Sequence, residues 1–159
     1  ADMGPGTSFH RILDEKDTEV KHGKAKRIVM CSGKVYYDLA AARDEAKAWD
    51  IEILRLEQLY PFPHKSLLRR LQKTPGAELV WCQEEPKNMG SWTFIRDFIE
   101  EVMQEIGTRQ QRLKYAGRAA AASPATGSLM RHNREQNALV IEALGPLGIA
   151  KKETRAKEK

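Results

Sequence analysis

The stretch KRIVMCSGKVYYDLAAARDEAKAWDIEILRL, residues 26–56, decides the fold. KRIVMC is a short apolar run closed by Ser32-Gly33, which suits a buried strand entering a tight turn. Val35, Leu39, Ala42, Ala46 and Trp49 then recur at steps of four and three, drawing one apolar stripe on a helix. Asp50 ends the stripe, and IEILRL returns to β-type residues. Strand, helix and strand follow one another with no room for a separate domain.

Reading outward, the same alternation continues. Pro61 and Pro63 of YPFP forbid a regular helix or central strand. A helix is predicted from about His64, with Leu67, Leu68 and Leu71 on its inner face and a break at Thr74-Pro75-Gly76. ELVWCQ (78–83) is a third buried strand and EEPKNMG (84–90) a polar loop. Ser91 is the expected N-cap of a helix whose inner face is Trp92, Ile95, Ile99, Val102 and Ile106, ended by Gly107. RLKYAGR (112–118) is a further strand and SPATGS (123–128) a loop. A last helix turns Leu139, Val140, Ala143 and Leu144 inward and stops at Gly145-Pro146. Upstream, TSFHRIL (7–13) is either an edge strand or an arm. Such alternation predicts an α/β fold, a three-layer α/β/α sandwich on a mostly parallel sheet of about five strands. The strands carry few polar residues, as expected where helices cover both faces.

Composition sets limits. Hydrophobic residues are 41% and charged residues 31% of 159, enough for one ordinary domain. No run of about 18 apolar residues is present to span a membrane. The start, ADMGPGTSFHR, lacks a signal-peptide pattern and reads as a cut inside a longer chain. Net charge is +5, but the last nine residues, KKETRAKEK, carry five basic and two acidic side chains. The body is left near +2, with no recognition helix or focused basic face for a nucleic acid. The expected division is an N-terminal arm or edge strand over 1–25 continuing from an upstream domain, a folded domain over 26–148, and a disordered basic tail over 149–159.

No catalytic constellation is visible. Cys31 and Cys82 lack metal spacing and sit at the ends of apolar runs, as reduced buried thiols would. Ser32-Gly33-Lys34 has one glycine where a phosphate loop needs several, so it is a strand–helix turn capped by Ser32 or a weak anion site. Glu84 and Glu85 are neighbours that diverge, which favours ion pairing, as with basic residues of a partner surface, over acid–base work. His10, His22, His64 and His132 are scattered. Trp92 and the YPFP loop are candidate interface anchors. The loops beyond the strands' carboxyl ends form the expected functional face.

Four segments resemble one family. RIVMCSGKVYYDL (27–39), DIEILRLEQLYPFPH (50–64), WCQEEPKNMGSW (81–92) and RLKYAGRAAAASPATGSLMRHNREQ (112–136) are similar to the C-terminal part of the 2-oxoglutarate dehydrogenase decarboxylating component. A 2-oxoadipate-directed cousin has similar segments. The resemblance implies a transketolase C-terminal-domain-like fold and a parent enzyme using thiamine diphosphate and Mg²⁺. That enzyme passes a succinyl group to the lipoyl arm of the succinyltransferase component of the citric acid cycle. It implies that catalytic and metal-binding residues come from upstream domains and none from this chain. The expected partners are those upstream domains, a homodimer partner and the succinyltransferase component. An allosteric effector, acetyl-CoA or AMP, is implied at Ser8, Arg11, Gln58, Lys65 and Ser66. Arg11 and Lys65 would pair phosphates and Gln58 would read a polar group. Acetyl-CoA-binding members carry consecutive arginines where this chain has Lys65-Ser66, and lysine cannot grip phosphate bidentately. The alternative for all five is surface solvation or an interdomain contact. Alanine-rich and arginine-rich usage favours a bacterial cytoplasm, with the mitochondrial matrix as the alternative.

Overall fold

The computed structural model describes residues 4–15, 17, 19–20 and 23–156, with side chains as far as residue 145. The elements in chain order are β1 (Ile12–Leu13), β2 (Arg27–Cys31), α1 (Val35–Ala46), β3 (Ile51–Leu56), α2 (His64–Leu71), β4 (Glu78–Pro86), α3 (Trp92–Ile106), β5 (Lys114–Arg118) and α4 (Leu129–Ala156). They form one five-stranded sheet in the order β1-β3-β2-β4-β5. Only the β1–β3 pairing is antiparallel among the described residues. This is the predicted mostly parallel sandwich. TSFHRIL supplies the short edge strand, and the segment before it is arm.

Each strand sends alternate residues to opposite layers. Ile28, Met30, Leu54, Leu56, Leu79 and Trp81 pack with Leu67 and Leu71 of α2 and Ile95, Ile99 and Val102 of α3. Val29, Cys31, Ile51, Ile53, Val80, Cys82 and Ala116 pack with Leu39 of α1 and Leu139, Ala143 and Leu144 of α4. Burial on both faces explains why the central strands carry few polar residues. The exceptions are bonded. Glu52, fully buried on β3, accepts the Gly23 N–H at 3.2 Å and pairs with Arg70 of α2, which also pairs with Asp14 of the arm.

The helix ends correct several expectations. α1 stops at Ala46 because Lys47 takes a left-handed conformation, φ 51°, leaving Trp49 outside. The N-cap of α1 is Lys34 rather than Ser32, with no side-chain cap. Gly107 ends α3 as expected, at φ 73°. Gly145, φ 64°, breaks α4 into two helical stretches. Just before that break, Arg27 Nη1 donates to the carbonyls of Glu142 and Ala143 at 3.2 and 2.8 Å, occupying orphan helix-end acceptors. The backbone stays helical to Ala156, where the sequence predicts a disordered tail from 149. Alanine, lysine, glutamate and arginine are strong helix formers. Residues 157–159 lie outside the described residues, as does His22.

Candidate functional site at the carboxyl ends of the strands

Because β2, β3, β4 and β5 run parallel, the loops after them gather at one end of the sheet. Gln83, near the end of β4, organises that end. It is 3% exposed. Its Oε1 accepts the Trp81 indole N–H at 3.1 Å and the Trp92 backbone N–H at 3.0 Å. Its Nε2 donates to the carbonyls of Met89 at 2.8 Å and of Glu85 and Pro86 at 3.3 Å. One amide therefore fixes the 84–90 loop and satisfies an orphan donor of α3. Ser91 holds the N-cap position without a side-chain cap; the remote Gln83 does that work.

The next loop is tied to the first. Asn88 Nδ2 donates to the Ala121 carbonyl at 2.9 Å, while its Oδ1 accepts the Ala121 N–H at 3.0 Å. Lys87 N–H donates to the Arg118 carbonyl at 3.0 Å. Arg118 Nη2 reaches His132 Nδ1 at 3.1 Å and Gln136 Oε1 at 3.3 Å. Gln136 donates in turn to Asp38 of α1 at 2.8 Å. Gly117 sits inside this frame, where a Cβ would come 2.8 Å from the Gln83 carbonyl and would strike the Tyr115 hydroxyl.

Ser32-Gly33-Lys34 forms the strand–helix turn, with Lys34 at the N-cap position. The Lys34 ammonium is engaged by Glu84 at 2.7 Å. That contact also gives Glu84 a partner within its own chain rather than on another surface. Trp92 is 6% exposed and packs on Tyr115 with ring centroids 4.9 Å apart, so it is core and not an interface anchor. Tyr60 and Phe94 are exposed, 81% and 42%, at a centroid distance of 6.5 Å. Phe94 continues through Phe98 to Phe62 of the YPFP loop.

Of the five candidate effector residues, Arg11 and Gln58 are brought together. The Arg11 carbonyl accepts the N–H groups of Glu57 and Gln58 at 3.0 and 3.1 Å. The Gln58 amide donates to the Pro61 carbonyl at 2.6 Å, so it serves the loop's own shape. Lys65 and Ser66 lie on the first turn of α2, which holds no acidic residue. Ser8 and Arg11 are exposed in the arm.

Burial pushes the Cys31 thiol up to about 12, and burial beside Cys31 raises Cys82 as well. Both are protonated and inert near neutrality. His64 meets Glu105 at 2.9 Å on the surface, and His132 serves Arg118. Among the described residues, no group of three or more His, Cys, Asp or Glu side chains is placed to hold a metal ion. No described helix is long and apolar enough to cross a membrane.

Comparison with known proteins accords with this picture. A family model described as 2-oxoglutarate dehydrogenase C-terminal matches residues 1–144. Over 153 residues the chain is 48% identical to the 2-oxoglutarate dehydrogenase E1 components of Brucella ovis and Brucella abortus. Those alignments cover 91% of this chain and 15% of each relative. A solved chain titled split gene transketolase, inactive beta4 tetramer, superposes with a TM-score of 0.56 at 14% identity. It covers 91% of this chain and 44% of that one, a likeness of fold alone.

Proposed function

The chain belongs to the 2-oxoglutarate dehydrogenase C-terminal family, and from that membership we propose that it is the non-catalytic closing domain of a larger decarboxylating enzyme. In this reading the parent decarboxylates 2-oxoglutarate with thiamine diphosphate and Mg²⁺. It then passes the succinyl group to the lipoyl arm of a succinyltransferase component. Upstream domains supply the cofactor site, and this chain supports them and their dimer. The chain spans 15% of the length of the curated relatives it matches, which leaves ample chain for those domains.

One observation carries the reading. The 83–90 and 118–128 loops are bonded to each other, Asn88 to both backbone groups of Ala121 and the Lys87 N–H to the Arg118 carbonyl. Gln83 holds the first loop from within, and Arg118 ties the second to α4. That is how a rigid support is built; a proton-transfer pair leaves a base free to reach substrate. The Tyr60–Phe94 cluster offers apolar contact area at the same end of the sheet. β1 runs antiparallel to β3, so the chain upstream of Arg11 arrives beside the carboxyl end of β3 and the loop bearing Tyr60. The test is an assay of this polypeptide alone with 2-oxoglutarate, thiamine diphosphate, Mg²⁺ and an artificial electron acceptor. No turnover is expected, and turnover above background rejects the reading.

A second reading is favoured by the Arg11–Gln58 juxtaposition. An anionic nucleotide-type effector, acetyl-CoA or AMP, binds beside the arm, with Arg11 and Lys65 facing its phosphates. Calorimetry with both effectors on the enzyme in its full-length context tests it, and absence of heat with either removes it.

A further inference from the structure

We propose that the cavity under the β5–α4 loop binds a compact oxyanion, a carboxylate or a phosphate, at Arg118 and Thr126. The cavity has a volume of about 430 Å³ and is walled by the Ala119–Gly127 segment, Pro86 and the first turns of α4. It lies at the β5 edge, across the sheet from β1 and from the Arg11–Gln58 pair, so it is separate from the effector reading above.

Three independent features point to an anion. First, the Arg118 side chain is 9% exposed, and its Nη2 meets His132 Nδ1 and Gln136 Oε1, neither of them a carboxylate. Its Nε makes no hydrogen bond. The Glu135 carboxylate stands 3.6 Å from that nitrogen, beyond hydrogen-bond reach, and is itself taken by Arg131 at 2.7 Å. Second, Thr126 Oγ1 on the facing loop is buried and also lacks a hydrogen-bond partner. Both residues line the cavity, and two unmet polar atoms covered beneath its wall are costly unless a ligand reaches them. Third, the charge is unbalanced. Arg118 and Arg131 line the cavity against one carboxylate, Glu135, and the first turn of α4 has no acidic residue to oppose the helix dipole.

The ligand places one oxygen on Arg118 Nε and a second on Thr126 Oγ1. Any short aliphatic body lies along the methyl groups of Ala119–Ala122. Arg131, 63% exposed, stands at the mouth and draws the anion in. Admission requires the 119–127 loop to lift, since both binding atoms are covered.

The test follows the Arg118 Nε–H resonance of the full chain by NMR during titration with inorganic phosphate and, separately, with acetate. Chloride at equal ionic strength is the control. The expected result is a saturable shift with phosphate, acetate or both, absent with chloride. A response to one anion alone identifies the headgroup. Thr126→Val leaves the Arg118 contacts intact and should raise the half-saturation concentration about tenfold, the equivalent of one hydrogen bond to a charged group. Arg131→Gln should weaken binding with a reduced salt dependence. No shift with either anion overturns the proposal. So does a shift that Thr126→Val leaves unchanged, which marks general salt stabilisation instead.

Discussion

The Glu15 carboxylate and the Arg43 guanidinium form an ion pair that is almost wholly out of solvent, their side chains 1% and 2% exposed. The same carboxylate accepts the Ile53 N–H at 3.0 Å. An arm residue is thereby stitched to α1 and to β3 at once. Burial by itself would lower the Arg43 pKa. The neighbouring Glu15 and Asp44 carboxylates outweigh it, so the guanidinium is held above its ordinary value.

Glu15→Gln removes the most buried partner of Arg43 but leaves Asp17 at 3.2 Å and Asp44 at 2.9 Å. It should lose about 1–3 kcal/mol in urea unfolding, the cost of a weakened buried polar contact to a charged group rather than of a stranded charge. A loss below about 1 kcal/mol would show that the arm is held elsewhere.

Gln83→Leu fills the same space but leaves the Trp81 indole N–H, the Trp92 N–H and the Met89 carbonyl without their partner. Each unmet buried group costs about 1–3 kcal/mol. The variant should unfold at lower urea, and its tryptophan fluorescence should redden before the global transition as the 84–90 loop loosens. A wild-type denaturation curve would remove Gln83 from its organising role.

Gly117 has no room for a side chain. Gly117→Ala should cost about 1–3 kcal/mol, as overpacking does. The added methyl displaces the Tyr115 hydroxyl from the Arg118 carbonyl, 3.1 Å away. Wild-type stability in that variant would mean that the β4–β5 register is looser than described.

The thiols give a pH dependence of definite sign. Cys31 is raised from 9.0 to about 12 by burial, and Cys82 is raised too. The native state therefore keeps protons that the unfolded chain releases. The corresponding stability is full below the unfolded thiol value and is lost as the pH climbs towards the native one. Stability should fall across about pH 9–12, and a thiol reagent at pH 8 should label these residues only on unfolding. Rapid labelling of the native chain at pH 8 would contradict their burial.

Much of the fold was legible because its causes are local. Apolar runs buried on both faces, and stripes at steps of three and four, mark βαβ units in any order of neighbours. The position of β1 was only half legible, since two paired residues leave little pattern. Capping at Ser32 misled, because the turn geometry assigned the cap to Lys34; Ser91 does hold the N-cap position of α3, with a distant amide rather than its own hydroxyl serving the Trp92 N–H. In the sequence Trp92 reads both as an inner-face residue of α3 and as an interface anchor, and the structure keeps the first reading. The site was less legible still. Gln83, Asn88 and Arg118 matter through contacts between loops far apart in sequence, and only their adjacency at the ends of parallel strands joins them. The dense family-like strings around them were the one available signal.

The account rests on this chain being a support that upstream domains require. The direct measurement is 2-oxoglutarate turnover by the rest of the enzyme, with this chain absent, added in trans or fused in place. The account predicts negligible turnover by this chain alone and by the truncated enzyme, and recovery when the two are joined. Full activity of the truncated enzyme, or any turnover by the isolated chain, would contradict it.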